Sequence, residues 1–294
     1  MSRPAAEIPG AEALAAGLPP LLAAAERLAA GLQTPLDSGA HGRRRAGPGE
    51  AFWQYRPHQP GDPAPGIDWR RSARGDDLLV RQREWLSARR VLLWAAGGPG
   101  MAHASARSLP TKHGRASLLL LALAVLLVRG GERVGGLGAG APPPGGRPAL
   151  APLAGHLATA SGDLPAAPGP GGAALLLAGD FLGDLDPLAR LARASRGPVH
   201  LLQVLDPAEV DLPWRGRVHF ESPDGAASLE VPRVESVRAD YRRRLAARQQ
   251  ALAGLVAGGG GRLVVHRTDR APRPGLLALA AALAGEAAPG EARR

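Results

Sequence analysis

The order of apolar runs along this chain predicts an α/β fold built on a mainly parallel central sheet. Three observations carry that expectation. Residues 173–178 form a continuous apolar run, the pattern of a strand covered on both faces, and residues 91–95 form a compact second one. Similar runs follow at 199–205 and 262–266. Segments with leucines at helical spacing alternate with these runs, as crossover connections between parallel strands require.

The elements follow in order. Residues 11–32 place leucines at 14, 18, 21, 22, 28 and 32, one apolar stripe of an N-terminal helix docking on the body. Residues 37–49 are a polar, glycine-rich, arginine-bearing link. In the next stretch Pro57, Pro60, Pro63 and Pro65 exclude a long helix, so an extended, looping excursion is expected, with a short strand at 78–80. A strand at 91–95, a loop at 97–100 and a helix at 111–128 stopped by Gly130 and Gly131 come next. A strand at 133–137, a glycine- and proline-rich loop at 138–148, a short edge strand at 148–150 and a helix at 151–159 lead to the run at 173–178. A helix at 184–195, a strand at 199–205, a helix at 237–256, a strand at 262–266 and a helix at 276–283 complete the alternation. Between 205 and 237 the segments 217–221 and 228–231, separated by Pro223-Asp224-Gly225, read as an inserted β-hairpin. The expected organisation is an N-terminal extension (1–40), an Arg/Trp-rich segment (41–84), an α/β domain (85–285) and a frayed, disordered tail (286–294).

Composition narrows the function. At 294 residues the chain is long enough to bury a sizeable core, and with 45% hydrophobic but 3% aromatic residues that core must be Leu, Ala and Val. The net charge is +10, yet Lys112 is the only lysine. The arginines are interleaved with Asp62, Asp68, Asp76, Asp77 and Glu84, which favours internal pairing over a bare nucleic-acid-binding face. With no cysteine, disulfides and thiolate metal sites are excluded. Residues 118–128 are wholly apolar but too few to span a membrane. Glu7 and Glu12 interrupt the N-terminus, so no signal peptide is expected. A cytoplasmic protein is the expectation.

The most distinctive stretch runs from Gly49 to Trp85. Between positions 41 and 90, 11 arginines face 6 acids, and five of the ten aromatic residues fall here (Phe52, Trp53, Tyr55, Trp69 and Trp85). Arg56 to Asp62 reads Arg-Pro-His-Gln-Pro-Gly-Asp; Ile67-Asp68-Trp69-Arg70, Ser72-Ala73-Arg74 and Val80-Arg81 follow, and Glu84 closes the set. This order resembles the signature of the bacterial family known as domain of unknown function 58. The resemblance extends through Asp206-Pro207-Ala208-Glu209, Leu212-Pro213-Trp214-Arg215-Gly216 and His266-Arg267-Thr268-Asp269. One departure is Pro65, where the family usually has an arginine.

The resemblance implies a von Willebrand factor A-like, Rossmann-like three-layer sandwich with a mainly parallel central sheet, a β-hairpin insertion and an N-terminal helix. It also implies a MoxR-type AAA+ ATPase as partner, with other von Willebrand factor A-like proteins as further partners. Folds of that type usually hold Mg²⁺ through an Asp-x-Ser-x-Ser loop after the first strand. Here the loop reads Ala96-Gly97-Gly98-Pro99-Gly100, so positions Ala96, Gly98 and Gly100 supply no carboxylate or hydroxyl to a hard cation. Asp180 falls where a third-loop ligand would lie, and alone it cannot rebuild the site. A degenerate metal-ion-dependent adhesion site is therefore expected, with no cofactor and with Asp180 capping a turn or the helix at 184.

Other chemistry has little to stand on. Gly97–Gly100 lacks the phosphate-loop pattern, Pro99 removes an amide donor, and Gly135–Gly140 does not open a helix. The eight histidines include no metal-binding pair at helical spacing. Ser72 has no nucleophile elbow and reads as a structural serine. Asp62 and Asp68, beside Arg56, Arg70 and Arg74, read as salt-bridged carboxylates. Ile67 and Trp69 are expected to anchor the excursion to the core, while Arg56, Asp62, Asp68, Trp69, Arg70, Arg74, Arg81 and Glu84 form a candidate binding surface. The leading expectation is a non-enzymatic adaptor. The alternatives are a nucleic-acid-binding module using Arg43–Arg45 and Arg89–Arg90, and, with least support, a metal-dependent hydrolase.

Overall fold

The computed structural model describes residues 11–32, 44–59, 67–75, 77–86, 89–140, 145–159, 164–165, 167, 171–223 and 225–285, with backbone alone for 11–18, 44–54, 56 and 81–86. The chain divides into two compact units, residues 41–88 and residues 1–40 together with 89–294.

The smaller unit is a two-stranded antiparallel ribbon. β1 (Arg44–Pro57) pairs with β2 (Leu79–Leu86), and the register shifts between Ala46 and Ala51 and again between Phe52 and Gln54. Of the expected extended, looping excursion, residues up to Pro57 lie in a 14-residue strand that also takes in part of the expected polar link, residues 60–66 lie outside the described residues, and the short strand at 78–80 is the start of an 8-residue one. Pro57 ends its strand, where a missing N–H is tolerated. Ile67 bridges Val80, and a single helical turn, α2 (Trp69–Ser72), follows.

The larger unit holds a five-stranded sheet of β3 (Arg90–Ala95), β4 (Arg133–Gly136), β5 (Ala174–Gly179), β6 (Val199–Leu205) and β9 (Leu263–Arg267). The order is β4-β3-β5-β6-β9, and all four pairings are parallel. A mixed α/β protein with a parallel sheet is what the alternating runs predicted.

Each face of the sheet carries its own core. Val91, Leu93, Ala95, Leu176 and Val204 face one side, against α1 (Ala11–Ala29), α3 (Lys112–Arg129), α4 (Leu150–Ala158) and α8 (Pro272–Ala284). Leu92, Trp94, Leu175, Leu177 and Leu201 face the other, against α5 (Asp186–Ala194) and α7 (Val234–Ala257). This is the two-residue alternation of a strand, with both sides dry. α3 is almost wholly buried from Ala116 to Leu127, a span whose single polar residue is Ser117, and its charged residues sit at its ends. It begins where Thr111 Oγ1 accepts from the Gly114 amide at 3.0 Å and stops at Gly131, whose φ of +83° suits glycine.

The N-terminal helix docks as expected, with Ala25 and Ala29 in the first core; Arg129 donates to the Ala29 carbonyl at 2.9 Å. The inserted hairpin is β7 (Val218–Glu221) and β8 (Ser228–Val231). The edge strand expected at 148–150 is instead a 3-10 turn over Arg147–Ala149 leading into α4, because Pro148 sits at a helix start. The expected tail, 286–294, lies outside the described residues. Among the described residues no helix is long and apolar enough to cross a membrane.

Candidate functional site

In an open parallel sheet the functional edge lies at the carboxyl ends of the strands, where the strand order reverses. Here that is the crevice beyond β3 and β5. Ala96 follows β3, Asp180 follows β5, and α6 (Pro207–Asp211) follows β6.

A single lysine organises this edge. Lys112 is the first residue of α3 and is 0% exposed. Its ammonium donates to Asp180 Oδ2 at 2.9 Å and to Glu209 Oε1 at 2.5 Å. The two carboxylate side chains keep 23% and 22% of their surface, so their outer sides reach solvent while the ammonium does not. An ammonium at a helix start faces the positive end of the helix dipole and has lost its water. Two carboxylates offset both penalties.

The acids are themselves held. Asp180 Oδ1 accepts from the Leu182 amide at 3.4 Å, and the Asp180 carbonyl accepts from Gln203 Nε2 at 2.8 Å. Gln203 is in turn bonded by Gln249 at 3.1 Å. Glu209 belongs to a capping box: its Oε2 accepts from the Asp206 amide while Asp206 Oδ1 accepts from Ala208. Asp206 Oδ2 accepts from the Ser105 amide at 2.9 Å, which ties the 97–111 loop to the site. Burial works to raise the Asp206 pKa, but the hydrogen bonds from Ser105 and Ala208 outweigh it and hold it below the usual carboxylate range.

The loop is fixed as well. His113 Nδ1 lies 2.9 Å from the Ala96 carbonyl, which only accepts, so the proton is on Nδ1. A second ion-pair group flanks the site, with Arg267 bonding both Asp211 and Asp269. The Asp269 pKa is held down chiefly by Arg267. Phe181 and Leu212, both at this edge, have left-handed φ values of 50° and 42°. Arg248 binds the carbonyls of Phe181 and Gly183, which holds the first of these strained turns in place.

Asp180 therefore caps a short turn and does not cap α5, whose N-cap residue is Leu185. Its second oxygen goes to Lys112, a partner the sequence reading did not supply. Ala96, Gly98 and Gly100 line the same edge and contribute no side-chain oxygen; a Cβ on Gly100 would lie 3.4 Å from Asp180 Oδ2. Among the described residues no three His, Cys, Asp or Glu side chains are grouped to hold a metal ion.

The Arg/Trp-rich residues are distributed differently. Asp68 is half-buried; it accepts from the Tyr55 hydroxyl at 2.9 Å and caps α2 through the Arg71 amide at 3.1 Å. Arg71 stacks over the Tyr55 ring at 4.4 Å. Trp69 does not anchor to a core: it is 60% exposed, because it starts a helix of one turn whose inward position is taken by Ser72. Ser72 Oγ donates to the Asp68 carbonyl and accepts from the Leu79 amide, both at 2.8 Å. Arg70 and Arg74 are exposed. Arg56 is on β1, and Arg81 and Glu84 are on β2; Asp62 lies outside the described residues. Arg89 turns inward to the Leu283 carbonyl, so it does not extend a solvent-facing basic patch with Arg90.

Asp206–Glu209 and His266–Asp269 carry the family resemblance in the sequence, with no role attached to them there. The fold brings both to the crevice, joined through Asp211. One signal for the site was available: a lone lysine in a chain that otherwise uses arginine.

Fold and site define a mixed α/β protein with a parallel sheet whose carboxyl edge is closed by internal ion pairs. The chain belongs to the family of proteins of unknown function DUF58, whose model matches residues 54–251. It is 29% identical to an uncharacterized protein of Mycobacterium bovis over 276 residues, covering 86% of each chain. Uncharacterized proteins of two Mycobacterium tuberculosis strains match to the same extent. No solved structure gives a significant match.

Proposed function

We propose that this chain is a non-enzymatic cytoplasmic docking module, von Willebrand factor A-like in fold, that works with a MoxR-type AAA+ ATPase. The observation that carries the reading is the committed state of the crevice. Lys112, Asp180, Asp206, Glu209, Asp211, Arg267 and Asp269 each bind another group of the chain. The ammonium and carboxylates that could act as acid, base or nucleophile are engaged with one another within the chain, which supports a non-enzymatic reading. The Arg/Trp-rich signature supports the partner: Trp69, Arg70 and Arg74 lie exposed around one helical turn, the residue types that dominate binding hot spots.

The test is co-purification of the tagged chain with a MoxR-type AAA+ ATPase from the same organism, followed by gel filtration. Co-elution is the expected result, and Trp69→Ala/Arg74→Ala is expected to abolish it with the circular dichroism spectrum unchanged. An ATPase that never co-elutes would overturn the docking reading. Undiminished binding by the double variant would remove the signature from the interface.

A further inference from the structure

Lys112 is the most anomalous residue of the molecule. It is the chain's one lysine and is wholly buried at a helix N-terminus, where a cation is electrostatically disfavoured. Its position is equally specific. The ammonium sits between the first residue after β5 and the helix after β6, beside the point where the strand order reverses. In open α/β sheets that crevice receives ligands, and the fold implied by the resemblance would place a divalent ion there.

The residues present do not fit such an ion. Mg²⁺ requires near-octahedral oxygen coordination, and Ca²⁺ more ligands still. The 96–100 loop has no side-chain oxygen. Asp180 Oδ1 is bonded to Leu182, Glu209 Oε2 to Asp206, and the Asp206 oxygens to Ser105 and Ala208. The remaining oxygens, Asp180 Oδ2 and Glu209 Oε1, both bind the lysine.

We infer that the Lys112 ammonium is a resident cation that replaces a divalent ion at this edge, and that deleting it frees Asp180 and Glu209 to bind one. A single positive charge that cannot leave then does the neutralising. The edge keeps its shape whatever the divalent-ion concentration, and the 97–111 loop is held by covalent chain and not by a ligand that exchanges.

Mn²⁺ is the probe, used with the full-length chain. Free Mn²⁺ is measured by electron paramagnetic resonance during titration, and the thermal midpoint is compared in Mn²⁺ and in EDTA. The wild type is expected to bind no Mn²⁺ at this edge and to melt identically in both. Lys112→Ala should bind at least ~10-fold more tightly than wild type and be stabilised by the ion through linkage. Adding Asp180→Asn and Glu209→Gln should cancel the gain. Mn²⁺ binding by the wild type that Asp180→Asn weakens would overturn the inference, as would a Lys112→Ala variant that folds and gains nothing. If Lys112→Ala folds in neither condition, the triple variant decides. A folded triple variant means that Lys112 acts by neutralising the two acids; an unfolded one means that its role is packing, and the inference fails. Ion binding is read without any partner, so its outcome is separate from capture of the ATPase.

Discussion

At the scale of single residues, the two sides of the lysine cluster are not equivalent. Removing the ammonium with Lys112→Met leaves two carboxylates that already touch water and can hydrate. Removing the acids with Asp180→Asn/Glu209→Gln leaves a buried ammonium without a counter-charge. The second change is expected to cost about 3–5 kcal/mol and the first distinctly less, read from urea unfolding at neutral pH. Equal costs would mean that the lysine stem matters more than its charge.

His200 and His266 set a pH dependence. Both fall from the ordinary 6.5 to about 4, His200 by burial and then by Arg89 and Arg262, and His266 by burial and then by Arg115. Arg115 Nη1 faces His266 Nε2 at 3.3 Å, so that nitrogen is the acceptor. The unfolded chain takes up these protons near 6.5 and the folded chain only near 4. Stability from this source is therefore complete above about 6.5 and falls as pH drops through the window, by about 3 kcal/mol per histidine at the limit. The urea midpoint should decline from pH 7.5 to pH 5, and His266→Gln should flatten roughly half of that slope.

At the scale of elements, the sheet and its helices were legible because they rest on apolar periodicity. Runs such as 173–178 and 199–205 match β5 and β6 to within a residue. Of the ribbon β1–β2, only the start of β2 was legible. Its strands mix arginine, glycine and aromatic residues, and the prolines nearby look like breakers until pairing shows that Pro57 is a strand end. The site was half legible. The loop after β3 was visibly empty of oxygens, and Asp180 was visibly placed. Its partner was not, because a basic residue opening a helix reads as solvated and nothing local says that it is covered.

Within the ribbon, Ser72 is the pin between α2 and β2. Ser72→Ala leaves the Leu79 amide without its acceptor, while the Asp68 carbonyl keeps the Ser72 and Arg71 amides as donors. A local loss of about 1–2 kcal/mol is expected, seen as faster amide exchange at Leu79 with β5 unchanged. Equal acceleration at both strands would show instead that the two elements open together.

At the scale of the whole molecule, the division into residues 41–88 and the remainder gives two kinds of stability. The parallel sheet has an apolar core on each face, whereas the described residues of the smaller unit form two strands and one helical turn. Amides of β5 and β6 should exchange last and report global unfolding, with those of β1 and β2 exchanging sooner.

The burial of the one lysine also makes the chain its own clock. A lysine-specific endoprotease has a single cleavable peptide bond within these 294 residues, after Lys112 and inside the first turn of α3. The folded chain should resist cutting there, and each unfolding event should expose the bond once. Digestion is expected to give two fragments at a rate equal to that of unfolding when protease is in excess. A rate well above it, at neutral pH without denaturant, would mean that the helix start frays while the sheet stays intact.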